Sequence, residues 1–181
     1  MEKSIVELLD AHPIKEPKQL PKYKIYCDMD GVLTDFEKRF EHFSGMKPKQ
    51  YEERFGSAKF WDLIDNQVGL EYWSKMDWMQ GGKQLWEFIQ PYNPSLLTSP
   101  SRQDVSRLGK STWVKDHLTP LPKVIFAYSK DKQRYANSNS ILIDDKKSNI
   151  NEWTAKGGIA LRCKYGNIEP VISALKELGY E

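Results

Sequence analysis

Cysteine is scarce in this chain of 181 residues, with only Cys27 and Cys163. Two thiols make neither a disulfide framework nor a zinc site. Cys27 lies within an apolar run and reads as a small buried hydrophobe. Histidine is also rare, and His42 and His117 have no metal-ligand spacing with one another, which leaves both as structural or surface residues. No apolar run approaches the length that spans a bilayer. The first residues, Met1-Glu2-Lys3-Ser4-Ile5, lack the apolar stretch of a signal peptide. An excess of one charge is missing too. The net charge is +2, which excludes a strongly basic nucleic-acid scaffold but leaves room for a local basic groove. These absences read as a reduced, cytoplasmic protein with no membrane partner.

What is present is enough to build a core. Apolar residues make up 39% of the chain, and the length suits one domain, or one domain with a modest insertion. Residues 1–22 read as an N-terminal arm, a short amphipathic helix over 4–11 followed by a linker broken by Pro13, Pro17 and Pro21. Strand-like runs follow at 23–27, 95–98, 123–127, 140–143 and 158–161. Helical patterns separate most of them, at 81–90, 102–118, 147–156 and 168–178. This alternation predicts an α/β fold with a parallel sheet covered on both faces. The exception is 35–80, which is too long for one crossover helix. It reads as short helices near 36–44, 48–56, 59–65 and 69–76, carrying ten Phe, Tyr and Trp side chains. The expected division is a core of 23–34 and 81–181 with a helical insertion at 35–80. That insertion needs apolar packing of its own, which most of its aromatics would supply.

Two stretches carry the chemistry. Asp28-Met29-Asp30-Gly31-Val32-Leu33-Thr34-Asp35 follows the first strand, and Gly31 marks a sharp exit from it. Carboxylates at a strand's C-terminal edge lie where α/β sheets place their ligands. One such Asp can be a nucleophile and the next a proton donor, and together they can hold a hard cation. A solvated turn is the plain alternative for an isolated Asp-x-Asp. Ile141-Leu142-Ile143-Asp144-Asp145-Lys146-Lys147-Ser148-Asn149 repeats the pattern at the fourth strand. Adjacent aspartates repel when buried unpaired, so a cation is an economical explanation. Between them, Thr98 and Ser99 end the second strand, where a hydroxyl can hold a phosphate oxygen or simply cap the next helix. Lys130 follows the third strand, with Lys132 in reserve. A lysine there can offset the charge of an anionic site, or it can be one of many solvated lysines.

Taken in order, these four stretches resemble the motifs of the haloacid dehalogenase (HAD) superfamily, in its Asp-x-Asp phosphatase form, over about 23–165. The resemblance implies a Rossmann-like HAD core with a five-stranded parallel sheet in the order 3-2-1-4-5, and a small helical C1-type cap. It implies phosphomonoester hydrolysis through an aspartyl-phosphate. Asp28 would be the nucleophile and Asp30 the acid and base. Thr98 would position the phosphoryl group, and Lys130 would offset its charge. Mg²⁺ would be held by Asp28, the Asp30 backbone carbonyl and Asp144, with Asp145 orienting a bound water or the lysine.

The runs Glu71–Trp86 and Gly109–Leu118 are similar to the linker and the Lys-x-x-Trp-(x)₃-His-Leu helix of the 5'(3')-deoxyribonucleotidase family. That resemblance implies a (deoxy)nucleoside monophosphate as substrate. Trp73 and Trp78, with Phe43 behind them, would face the base, and Ser99 would lie beside the phosphate. Aromatic faces stack bases by about 1–3 kcal/mol each. A second reading, a HAD 3'-phosphatase acting on DNA or RNA ends, draws on Lys47, Lys49, Arg54 and Lys59. A catalytically idle binding domain would lack Asp28 or Asp30, and neither is lacking. The oligomeric state is not legible.

Overall fold

The computed structural model describes residues 22–181. The arm helix and most of the linker expected at the N-terminus lie outside these residues. Among the described residues, five parallel strands form one sheet: β1 (Lys24–Cys27), β2 (Ser95–Thr98), β3 (Lys123–Phe126), β4 (Ser140–Asp144) and β5 (Ile159–Arg162). Their order is β3-β2-β1-β4-β5. The α/β class and the expected strand order therefore both hold. β4 is buried along its whole length, as a strand covered on two faces must be.

The chain runs outward from β1 to β2 and β3, then returns to the other side of β1 as β4. This reversal opens a crevice between β1 and β4 at the carboxyl ends of the strands, where open α/β sheets bind ligands. Asp28 directly follows β1, and Asp144 ends β4.

Helices α1 (Phe36–Ser44), α2 (Pro48–Phe55), α3 (Ser57–Asp62) and α4 (Leu70–Ser74) stand between β1 and β2, with a π-helical turn at Leu63–Val68. Asp35 caps α1 by accepting the Lys38 N–H at 3.0 Å, and Gly45 closes the helix in the left-handed conformation. After them come α5 (Gly82–Ile89), α6 (Asp104–His117), α7 (Ser129–Lys132), α8 (Lys147–Ala155) and α9 (Glu169–Glu177). No helix among the described residues is long and apolar enough to cross a membrane.

The aromatics of 35–80 do not make a core of their own. Phe40, Phe60, Tyr72 and Trp73 join one hydrophobic cluster with Ile25, Leu85, Trp113 and Ile141. α4 packs tightly on α6, and the Trp113 indole donates to the Met76 carbonyl at 2.8 Å. The π turn aims Asp65 inward, where it accepts from Trp73 Nε1 at 3.1 Å and from Ser101 Oγ at 3.0 Å. The helical segment is thus tied to the loop after β2. At Gly82 a Cβ would lie 2.9 Å from the Leu33 carbonyl oxygen, so the start of α5 can press against the loop that carries the acids.

Candidate active site

Asp28 emerges from the end of β1 nearly buried. Its Oδ1 accepts the Met29 N–H at 2.8 Å and lies 2.9 Å from Lys132 Nζ. The chain then turns tightly, with the Met29 carbonyl accepting from Val32, Leu33 and Thr34. Gly31 makes this turn at φ +80, and a Cβ there would lie 2.5 Å from Asp145 Oδ2. Only glycine lets the first acid loop approach the second this closely.

Lys132 Nζ also sits 2.7 Å from Asp144 Oδ2. Asp144 is fully buried and accepts from Asn149 Nδ2 and from the Lys146 backbone N–H. Asp28, Asp144 and Asp145 each bring a carboxylate oxygen within 4.8 Å of the others. Burial pushes the Asp28 carboxyl up, to about 8, against the pull of Lys132, and Asp144, Asp145 and Asp30 add to the rise. Burial also pushes Asp145 up, to about 6, and Asp144 adds to it. Burial works to lower the Lys132 ammonium, but Asp28 and Asp144 more than reverse it. Fully ionised, three carboxylates against one ammonium would leave two negative charges in an all-oxygen site, which is why Asp28 and Asp145 hold their protons. That donor set fits a hard divalent cation, whose charge would relieve the repulsion.

Asp30 points elsewhere. Its Oδ2 lies 2.5 Å from Lys110 Nζ, and its Oδ1 accepts from Thr34 Oγ1 at 2.9 Å. Its carboxylate is therefore outside the three-acid group, and only its backbone carbonyl is left for the expected role in holding a metal. Lys110 is fully buried on α6. It donates to Thr98 Oγ1 at 2.8 Å and lies over the Trp73 ring, 5.2 Å from its centre.

The acids open into a cleft of about 1070 Å³. Some of the expected residues line it, and others do not. Ser99 lines the cleft, whereas Thr98 is fully buried and holds Lys110. Lys130, the first choice for the lysine beside Asp28, stands exposed on the cleft wall, and the reserve, Lys132, takes the inner position instead. α7 explains why only one of them can. Residues two apart on a helix point about 200° apart, so the two lysines cannot face Asp28 together.

Trp73 lines the cleft with its indole N–H tied to Asp65. Trp78 and Phe43 do not line it. Trp78 packs edge-on against Trp113, 4.8 Å between ring centres, and Phe43 packs on Tyr72 beneath the Arg39 guanidinium. Both fill the hydrophobic cluster, which a segment without a separate core needs. The aromatics that do line the cleft with Trp73 are Phe36, Trp61, Tyr128 and Tyr165.

Lys110 is the functional candidate that the motifs alone passed over. One signal marks it. It shares the buried face of α6 with Ser106, Trp113 and Val114, and a lysine on such a face needs a buried partner.

No protein-family profile matches this chain, and no curated protein matches it. Solved structures resemble it at low identity. A hydrolase from Streptococcus pneumoniae is 16% identical over 84% of this chain and 99% of its own, with a TM-score of 0.49. A HAD-family enzyme from Bacteroides thetaiotaomicron, solved as a magnesium complex, is 17% identical over 84% and 98%, also at 0.49. A HAD-like hydrolase from Porphyromonas gingivalis is 13% identical over 86% and 98%, at 0.48.

Proposed function

We propose that this protein is a HAD-type, Mg²⁺-dependent phosphomonoesterase that hydrolyses (deoxy)nucleoside monophosphates. The observation that carries the reading is Lys132 bridging Asp28 and Asp144, with Asp145 beside them, at the sheet's switch point. Asp28 attacks phosphorus and forms an acyl-phosphate as the ester P–O bond breaks. Asp30, held in place by Lys110 and Thr34, delivers a proton to the departing oxygen. It then takes one from the water that releases phosphate from Asp28. Lys132 offsets charge on the transferring group, and Ser99 at the mouth of β2 offers it a hydroxyl. Mg²⁺ held by Asp28, Asp144, Asp145 and the Asp30 carbonyl would supply further charge neutralisation when bound.

Trp61, Trp73 and Phe36 support a base-bearing substrate. The lysines and arginine that would favour a strand-end phosphatase, Lys47, Lys49, Arg54 and Lys59, lie outside the cleft. The test is a phosphate-release panel of nucleoside 5'- and 3'-monophosphates, sugar phosphates and 3'-phosphorylated oligonucleotides. Mononucleotides should be hydrolysed best, and only with Mg²⁺. Faster release from oligonucleotides or from sugar phosphates would replace this reading.

The metal has a separate readout. In the metal-free protein Asp28 and Asp145 keep protons that the unfolded chain has lost above about pH 4. Stability of that form should therefore fall as pH rises through roughly 4–8. A cation must displace those protons, so its stabilisation grows with pH. We expect Mg²⁺ to raise Tm more at pH 8 than at pH 5.5, and Asp144→Ala to remove the shift. An equal shift at both pH values, or one that survives Asp144→Ala, would count against the site.

A further inference from the structure

The chemistry at Asp28 engages Lys132 and Lys110, yet the cleft carries more positive charge than that. Arg102, Lys130, Lys146, Lys147 and Arg162 also line it, all of them exposed. None of the five makes an ion pair within the described residues, whereas Lys38, Arg39, Arg107 and Arg134 elsewhere do. Three of the five form one wall at the β4–β5 edge. Arg162 pairs in register with Asp144, and its Nε donates to the Asp145 carbonyl at 2.9 Å, which leaves the terminal nitrogens of the guanidinium free. Lys146 Nζ is held 3.1 Å from Ser129 Oγ. Lys147 opens α8, where positive charge opposes the helix dipole and no acid in the first turn offsets it. Helix stability therefore does not explain these lysines, and a local rule broken without local gain marks a functional position.

Two acids, Asp35 and Glu37 at the start of α1, also line the cleft. At about 1070 Å³ it also sits at the upper limit of small-molecule sites, which run to roughly 1,000 Å³.

We propose that Lys146, Lys147 and Arg162 form a second anion subsite, and that the preferred substrate is a nucleoside 3',5'-bisphosphate. One phosphate is cleaved at Asp28 while the other rests on this wall. The inference rests on the nucleotide reading above and names its substrate more narrowly. A guanidinium with free paired nitrogens suits a phosphate, and flanking ammonium groups add charge without demanding one geometry.

The test compares kcat/KM for a nucleoside 3',5'-bisphosphate with that for the matching 3'- and 5'-monophosphates, at fixed Mg²⁺ and ionic strength. The bisphosphate should be favoured by about tenfold or more. Lys147→Ala and Arg162→Ala should each draw that ratio towards unity, and Lys147→Glu further still. Added salt should erode the preference, because the wall is exposed. Phosphate release from monophosphates without preference for the bisphosphate overturns this inference alone, as does a preference that survives all three variants. Release from no nucleotide overturns the parent reading as well. A 5'- or 3'-phosphorylated oligonucleotide that outpaces the bisphosphate by a similar margin gives the wall to a nucleic-acid strand instead.

Discussion

Asp28→Asn should lower Mg²⁺-dependent phosphate release by roughly 10⁵-fold or more, the scale seen when a covalent nucleophile is deleted. The loss follows from chemistry and not from unfolding. An amide oxygen is too weak a nucleophile to form the acyl-phosphate, but it can still accept the two hydrogen bonds that Asp28 Oδ1 accepts, from the Met29 N–H at 2.8 Å and from Lys132 Nζ at 2.9 Å. Asparagine also stays uncharged at every pH, so above about pH 8, where Asp28 would ionise, Asp144 and Asp145 lose a repulsive neighbour. The Tm of the metal-free protein should hold or rise, and the response of Tm to Mg²⁺ should weaken with one ligand's charge gone. Steady-state phosphate release and a thermal melt on the same preparation read both effects. Turnover within tenfold of the parent would remove Asp28 from the nucleophile's role, and a collapsed melt would make the activity loss a folding effect.

The sheet and the two acid-bearing loops were legible in the sequence because each rests on local pattern. Short apolar runs ending in Asp, followed by Gly or by a helical stretch, recur at 28–31 and 144–149, and the strands form where those runs stand. Strand order came from family resemblance, since periodicity carries no information about which strands neighbour each other. Choices among side chains within a loop were less legible. Thr98 and Ser99 are adjacent, and which hydroxyl reaches the cleft depends on the end of β2, where Thr98 turns inward to Lys110. The partnership of Lys110 with Asp30 spans eighty positions in the chain. No local signal joins them, although a lysine on the buried face of α6 is a visible anomaly. Trp78 and Phe43 lie away from the cleft for a thermodynamic reason. An aromatic residue can stack on a base or fill a core, and these two fill the shared cluster because the helices at 36–74 have no separate core.

Lys132→Met should be far more damaging than Lys130→Met, and the contrast separates two lysines that the sequence alone could not rank. Lys132 is the only cation within 4.0 Å of Asp28 and Asp144 among the described residues. Methionine fills much the same volume but leaves two buried carboxylates without a counter-charge. Breaking a buried pair in this way costs about 3–5 kcal/mol. Mg²⁺ should recover part of that stability, because it would neutralise the same carboxylates. The lost positive charge should also lower kcat by roughly 10²–10³-fold, the effect of removing one preorganised donor. Lys130 stands in solvent and makes no ion pair among the described residues. Its replacement by Met should shift stability by less than about 0.5 kcal/mol and cost less than about tenfold in kcat, a difference of 1.4 kcal/mol. Denaturant melts with and without Mg²⁺, paired with kcat for one nucleotide, measure all four quantities. A large loss of kcat in Lys130→Met with Lys132→Met near normal would return the catalytic role to Lys130. It would also require α7 to turn by about half a revolution when substrate binds.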